Sequence, residues 1–165
     1  MDTSPSVKDI MTREVISVRP ETSVLEAHEL IAKHNFDGVP VVDHEKRLVG
    51  ILTEYDLVSK GSAIHLPTFQ LILQNLKVFR RDRQHFEHEI QSISSLTVKD
   101  VMNSDPLTLP EDATFEQAVM AFRNHHRVNP IPVIDRDRRV VGVVSRYDVL
   151  KLFGELKVAT DSPGR

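Results

Sequence analysis

Apolar and polar positions along this chain form a pattern that occurs twice. Val15-Ile16-Ser17-Val18 reads as a short extended stretch closed by Pro20, and Leu107-Thr108-Leu109 as a second one closed by Pro110. Val24, Ala27, Leu30 and Ile31 then recur at helical spacing, as do Phe115, Ala118, Val119 and Phe122. Each helix leads to a short apolar strand, residues 39–42 or 131–134. A polar turn follows, His44-Glu45-Lys46 or Arg136-Asp137-Arg138, and it reads as a hairpin connection. A second apolar strand ends at Thr53 or Ser145, where a last helix starts. Gly61 and Gly154 stand where a C-terminal cap glycine belongs. The unit is β-α-β-β-α, present twice.

The identity of residues supports the repeat. Val7-Lys8-Asp9-Ile10-Met11 returns as Val98-Lys99-Asp100-Val101-Met102 at an offset of 91. The hairpins match at an offset of 92, from Val49-Gly50-Ile51-Leu52-Thr53-Glu54-Tyr55-Asp56 to Val141-Gly142-Val143-Val144-Ser145-Arg146-Tyr147-Asp148. The one-residue slip belongs in the helix-to-strand loop, near His34–Asp37 and His125–Asn129. A single unit of this size barely buries a core, so two are expected to pack as one pseudo-twofold module. The expected organisation is a first domain over 7–60, a helical linker over 61–97, a second domain over 98–154 and a tail over 155–165.

Composition narrows the function. The chain has 165 residues, no Cys and a formal charge of -3. Disulfides, thiolate zinc, iron–sulfur ligation and a Cys nucleophile are excluded. The apolar runs are too short to span a bilayer and the first residues do not read as a secretory signal, so a cytoplasmic location is expected. Mild acidity argues against nucleic acid and anionic lipid as partners, and aromatics at 5% leave few stacking platforms.

The candidate chemistry lies in Gly-x-x-[Ser/Thr]-x-x-Asp, from Gly50 to Asp56 and from Gly142 to Asp148. Thr53 and Ser145 end a strand and open a helix, where first-turn N–H groups can meet a phosphate. Asp56 and Asp148 fall in that turn, and a carboxylate can accept both vicinal hydroxyls of a ribose. Thr-x-x-Asp also spells a capping box, which needs no ligand. The strand openings Gly38-Val39-Pro40 and Pro130-Ile131-Pro132 allow either an apolar edge for an adenine ring or an ordinary strand entering the core.

With those motifs in view, residues 7–60 and 98–154 resemble tandem cystathionine-β-synthase (CBS) domains, which pair as a Bateman module. The resemblance implies an α+β module that binds AMP, ADP, ATP or S-adenosylmethionine between paired repeats as a regulatory ligand, with no required cofactor. It implies a homodimer that signals to an effector protein without catalysis. Asp56 and Asp148 would hold ribose, and Thr53 and Ser145 the phosphate side. Gly38, Val39, Pro40, Ile131 and Pro132 would line the base, with Tyr55, Arg146 and Tyr147 beside the motif. The basic pair that some nucleotide-sensing members carry before the second strand is replaced by Asp37-Gly38 and Asn129-Pro130. Arg146, with Arg127, His125 and His126, favours a charged nucleotide at the Asp148 motif; Asp37 and Glu54 disfavour one at Asp56.

Two further features are open. Residues 58–97 read as a helical hairpin whose Lys77, Arg80, Arg81 and Arg83 form either a solvated turn or a docking site for an acidic partner or nucleic acid. The alternative function is accordingly a ligand-free dimerisation and interaction scaffold using this insert. His85, His88 and Glu89 share a helical face, a pattern that surface histidines also give by chance, and no metal site is expected. No GxSxG, Walker A or GxGxxG motif is present.

Overall fold

The computed structural model describes residues 5–59 and 95–151. Elements in order are α1 (Val7–Ile10), α2 (Val24–His34), β1 (Gly38–Val42), β2 (Leu48–Thr53), α3 (Glu54–Ser59), α4 (Val98–Val101), β3 (Leu109–Pro110), α5 (Phe115–Asn124), β4 (Ile131–Ile134) and β5 (Val140–Val144). Residues 146–151 are helical and form α6. This is the mixed α+β architecture of two repeats. The expected linker helices with their histidines and arginines, the expected cap glycines Gly61 and Gly154, and the tail lie outside the described residues.

The compact units do not follow the repeats along the chain. One unit contains residues 17–43 and 49–105, the other 1–16, 44–48 and 106–165. Each repeat's opening helix therefore belongs to the unit built from the other repeat's strands.

In the unit of residues 17–43 and 49–105, Val24, Ala27 and Ile31 of α2 pack with Val39, Val41, Leu52 and Leu57. Ser23 caps α2 by accepting from the Glu26 N–H at 3.2 Å. Asn35 ends it in the left-handed region at φ 54. β1 and β2 form a two-stranded sheet. The expected extended stretch at 15–18 is reduced to a parallel bridge between Val18 and Val41. Val98 and Val101 of α4 complete the core. Each fully buried aliphatic side chain contributes about 1.5–3 kcal/mol relative to exposure.

The other unit repeats the scheme with Val7 and Met11 in place of Val98 and Met102. Ala118 and Phe122 of α5 pack with Ile131, Val133 and Val144. Here the opening stretch forms strand β3, starting two residues later than expected and taking in Pro110, parallel to β4 with Leu109 opposite Val133. The sheet order is β3-β4-β5. Thr114 caps α5, accepting from the Gln117 N–H at 3.2 Å. The repeat slip lies where it was expected. α2 stops in a three-residue loop, whereas α5 ends at His125 with φ -126 and needs residues 125–130, including a cis Asn129–Pro130 bond, to reach β4.

The opening segments are tied to the strands by main chain. Ile51 and Asn103 exchange both hydrogen bonds at 2.9 Å, and Thr12 and Val143 do so at 2.9 and 3.0 Å. Such closeness requires the neighbouring glycines. A Cβ on Gly50 would lie 2.8 Å from the Asn103 carbonyl oxygen and 2.7 Å from the Met102 sulfur; one on Gly142 would lie 2.5 Å from the Met11 sulfur. Another backbone, not a ligand ring, fills the space these glycines leave. Gly50→Ala should therefore lower unfolding free energy by about 1–3 kcal/mol, as overpacking does. Urea denaturation measures it, and adding Met102→Ala should not restore stability, because the carbonyl stays in place.

Candidate functional site

Both Gly-x-x-[Ser/Thr]-x-x-Asp motifs place the hydroxyl at a strand end and the acid in the next helical turn. Asp56 Oδ2 accepts from the Thr53 N–H at 3.0 Å and the Thr53 hydroxyl at 2.6 Å. Asp148 Oδ2 accepts from the Ser145 N–H and hydroxyl, both at 2.7 Å. In return the Thr53 and Ser145 oxygens accept from the Asp56 and Asp148 N–H groups at 3.2 and 3.3 Å. Both motifs are thus complete capping boxes.

The two acids differ in access. Asp56 is 7% exposed. Asp148 is half-buried, and its Oδ1 accepts no hydrogen bond from the described residues. A carboxylate with one oxygen on its cap and the other open can accept a donor without first releasing the helix.

These bonds take up several of the N–H groups expected to be free at the helix start. Besides the capped pairs, Glu54 N–H donates to the Asp37 carbonyl at 3.1 Å. Arg146 N–H donates to Asn129 Oδ1 at 3.0 Å. Arg146, expected toward a phosphate, contacts main chain. Its guanidinium donates to the His125 and His126 carbonyls at 3.2 and 2.6 Å and lies 5.4 Å from the Phe122 ring. Arg146 clamps the long α5–β4 loop, whose counterpart in the first repeat is shorter.

The strand openings are core entries. Val39 and Ile131 are 1% and 0% exposed and belong to the two hydrophobic cores, so their side chains do not form an open base-binding wall. Pro40 and Pro132 are buried as well. β4 lies between β3 and β5, whereas β1 has β2 as its one strand neighbour and meets Val18 on the other side, where the Pro40 carbonyl accepts from Val18 N–H at 3.0 Å. Pairing on the outer side does stop short, however. β3 reaches only Val133 and Ile134, so the start of β4 has no strand neighbour there. Gly38 fits tightly against the motif, since a Cβ would sit 2.8 Å from both the Leu52 oxygen and Thr53 Cγ2. Tyr55 and Tyr147 are exposed beside their acids.

Two features escaped the sequence reading. Ser6-x-x-Asp9 and Thr97-x-x-Asp100 have the same spelling as the candidate motifs and the same geometry. Asp9 Oδ2 accepts from Ser6 N and Oγ at 2.8 and 2.6 Å, and Asp100 Oδ2 from Thr97 N and Oγ1, both at 2.8 Å. The preceding glycine strand separates the candidate pair from this purely capping pair. There is also a cavity of about 550 Å³ at the far end of β4 from Ser145, lined by Lys8, Thr108, Glu111, Asp112, Ile134 and Arg136. Among the described residues no cluster of His, Asp or Glu is arranged to hold a metal, and no helix is long and apolar enough to cross a membrane.

The hydroxyl and main-chain bonds from Ser6 hold the Asp9 carboxyl below its ordinary 3.8, and those from Thr97 do the same for Asp100. The folded state binds these protons more weakly than the unfolded state. The caps therefore add stability above about pH 4, and that contribution is lost as pH falls through the lowered folded values. Asp9→Asn with Asp100→Asn should flatten the fall in melting temperature between pH 5 and about 2, read by circular dichroism.

Comparison with known proteins shows the family. The CBS domain model matches residues 7–62 and 98–155. The chain is 28% identical over 151 residues to L-aspartate semialdehyde sulfurtransferase of Methanocaldococcus jannaschii, covering 92% of this chain and 24% of that protein. It is 28% identical over 158 residues to inosine-5'-monophosphate dehydrogenase of the same organism, covering 95% of this chain and 25% of that protein. It thus spans about a quarter of these relatives, but 67% of the Arabidopsis thaliana CBS domain-containing protein CBSX1, chloroplastic, also 28% identical over 167 residues and covering 94% of this chain. Among solved structures, CBSX2 in complex with AMP superposes with TM-score 0.68 at 27% identity, covering 92% of this chain and 98% of that one. The CBS domain pair of protein MJ0100 in complex with 5'-methylthioadenosine and S-adenosyl-L-methionine superposes with TM-score 0.66 at 26% identity, covering 93% and 98%.

Proposed function

The chain belongs to the CBS-domain family, and from that premise we propose that it is a non-catalytic regulatory module that binds an adenosine-containing ligand at its Ser/Thr-x-x-Asp motifs. The observation that carries this reading is the Asp148 carboxylate, anchored by one oxygen to Ser145 and open at the other. It is supported by similar CBS pairs whose structures contain AMP or S-adenosylmethionine. The ligand is a regulatory small molecule, not a resident cofactor.

In this reading Asp148 accepts the ribose hydroxyls and Ser145 lies toward the phosphate or the substituent at the same end of the sugar. Asp56 and Thr53 form the counterpart. The main chain at Gly38, Val39 and Pro40, and at Ile131 and Pro132, faces the base, while Tyr55, Tyr147 and Arg146 flank it. The two motifs bind unequally, the more accessible Asp148 being filled first. The source of the inequality is access to the acid, since the Arg146 charge is directed to main-chain carbonyls. A ligand that prefers one arrangement of the module shifts its population toward that arrangement. The output passes to an effector protein, and the module acts as a homodimer in the cytoplasm.

A thermal-shift panel of AMP, ADP, ATP and S-adenosylmethionine tests this reading. A ligand at about 100 times its dissociation constant adds about 2.7 kcal/mol, a rise of several degrees for a chain this size. Asp148→Ala should abolish most of the rise and, by removing a cap, lower the baseline stability by about 0.5–2 kcal/mol. Absence of a shift with every compound in the unmodified protein would refute the reading.

A further inference from the structure

We propose that the two hairpin turns together form a cationic surface that binds an acidic segment of a partner protein. Both turns lie in the unit of residues 1–16, 44–48 and 106–165. Leu48 N–H donates to the Arg138 carbonyl at 2.9 Å, Val140 N–H donates to the Lys46 carbonyl at 3.2 Å, and Arg47 bridges Arg139 in antiparallel fashion.

Three observations point to a ligand for this ribbon. Lys46 and Arg138 both hold positive φ, 64 and 62, in the left-handed region where a long side chain is strained and Gly or Asn is at ease. Among the described residues the other non-glycine position of this kind is Asn35. A strained cation thus stands at the same place in both turns. Next, Arg47 and Arg139 oppose each other across the bridge, where like charges are unfavourable. Each is balanced within its own turn, Arg47 by Glu45 at 2.5 Å and Arg139 by Asp137 at 3.1 Å. Finally, Lys46, Arg136 and Arg138 are exposed and form no ion pair among the described residues. The Asp135 carboxylate beside them is directed to its own turn, accepting from Asp137 N and Arg139 N at 2.9 and 2.8 Å.

The two turns, residues 43–47 and 135–139, hold Lys46, Arg47, Arg136, Arg138 and Arg139 against Asp43, Glu45, Asp135 and Asp137, five cations to four acids, a local excess of positive charge on a chain of net charge -3. That balance selects the occupant. A long polyanion such as duplex DNA meets the negative remainder of the chain, whereas a short run of carboxylates meets only the ribbon. No Phe, Tyr or Trp lies in either turn to stack a base. Arginine forks suit carboxylates. The surface supplies the partner chemistry of the regulatory reading and rests on that reading for its role, yet it does not require the adenosine ligand.

Fluorescence anisotropy of labelled octaglutamate with the full chain at low ionic strength tests it, with AMP thermal shifts recorded on the same samples. The unmodified protein should bind octaglutamate more tightly than a labelled DNA duplex. Lys46→Gly with Arg138→Gly removes two charges and the backbone strain together. It should weaken octaglutamate about tenfold, leave the AMP shift intact and not lower the melting temperature. Lys46→Asn with Arg138→Asn should act in the same way and serves if the glycine pair folds poorly. No binding of octaglutamate, undiminished binding by both pairs, or tighter binding of the duplex would each overturn the proposal. Loss of the AMP shift in the unmodified protein would instead fault the adenosine reading.

Discussion

The bond that everything else leans on is a carboxylate oxygen shared between a main-chain N–H and a hydroxyl where a strand turns into a helix. At Thr53–Asp56 and Ser145–Asp148 it fixes the direction of the chain as it leaves the sheet. The same bond holds the acid in one orientation before any ligand arrives. A flexible Asp would lose rotamer freedom on binding a diol; a capped one has already lost it. Structural and recognition roles are therefore compatible in one residue, provided a second carboxylate oxygen stays accessible. Asp148 meets that condition more openly than Asp56.

The strand that delivers the hydroxyl is itself positioned from outside its own repeat. Asn103 pairs with Ile51, and Thr12 with Val143, each beside a glycine without room for a side chain. Met11 and Met102 lie against those glycines. The repeated Asp-[Ile/Val]-Met openings and the repeated glycines are thus two halves of one contact. Each compact unit draws on both repeats, which links the order of one motif to the folding of the other repeat's opening helix.

The repeat, its helices and its hairpins were legible because their signals are local: a 3.6-residue period at Val24, Ala27 and Ile31, and turn residues between apolar runs. The crossing of the opening helices was not, since the Ile51–Asn103 pairing joins positions about fifty residues apart and leaves only a Gly and a Met as its trace. The direction of Val39 and Ile131 was undecidable for another reason. A short strand buried along its whole length does not alternate, and β1 is buried at all five positions. The cap at Asp148 was visible in its spacing, but spacing did not separate it from Asp9 and Asp100, which also cap. Arg146 was identified as a cation near the motif, while its commitment to two carbonyls followed from a loop whose extra residue was seen but whose course was not.

Isothermal titration of AMP against 2'-deoxy-AMP examines the core of this account. If the Asp148 carboxylate grips both sugar hydroxyls, loss of one should weaken binding about tenfold or more, and Asp148→Asn should narrow that gap. Equal affinity for the two nucleotides would contradict the account.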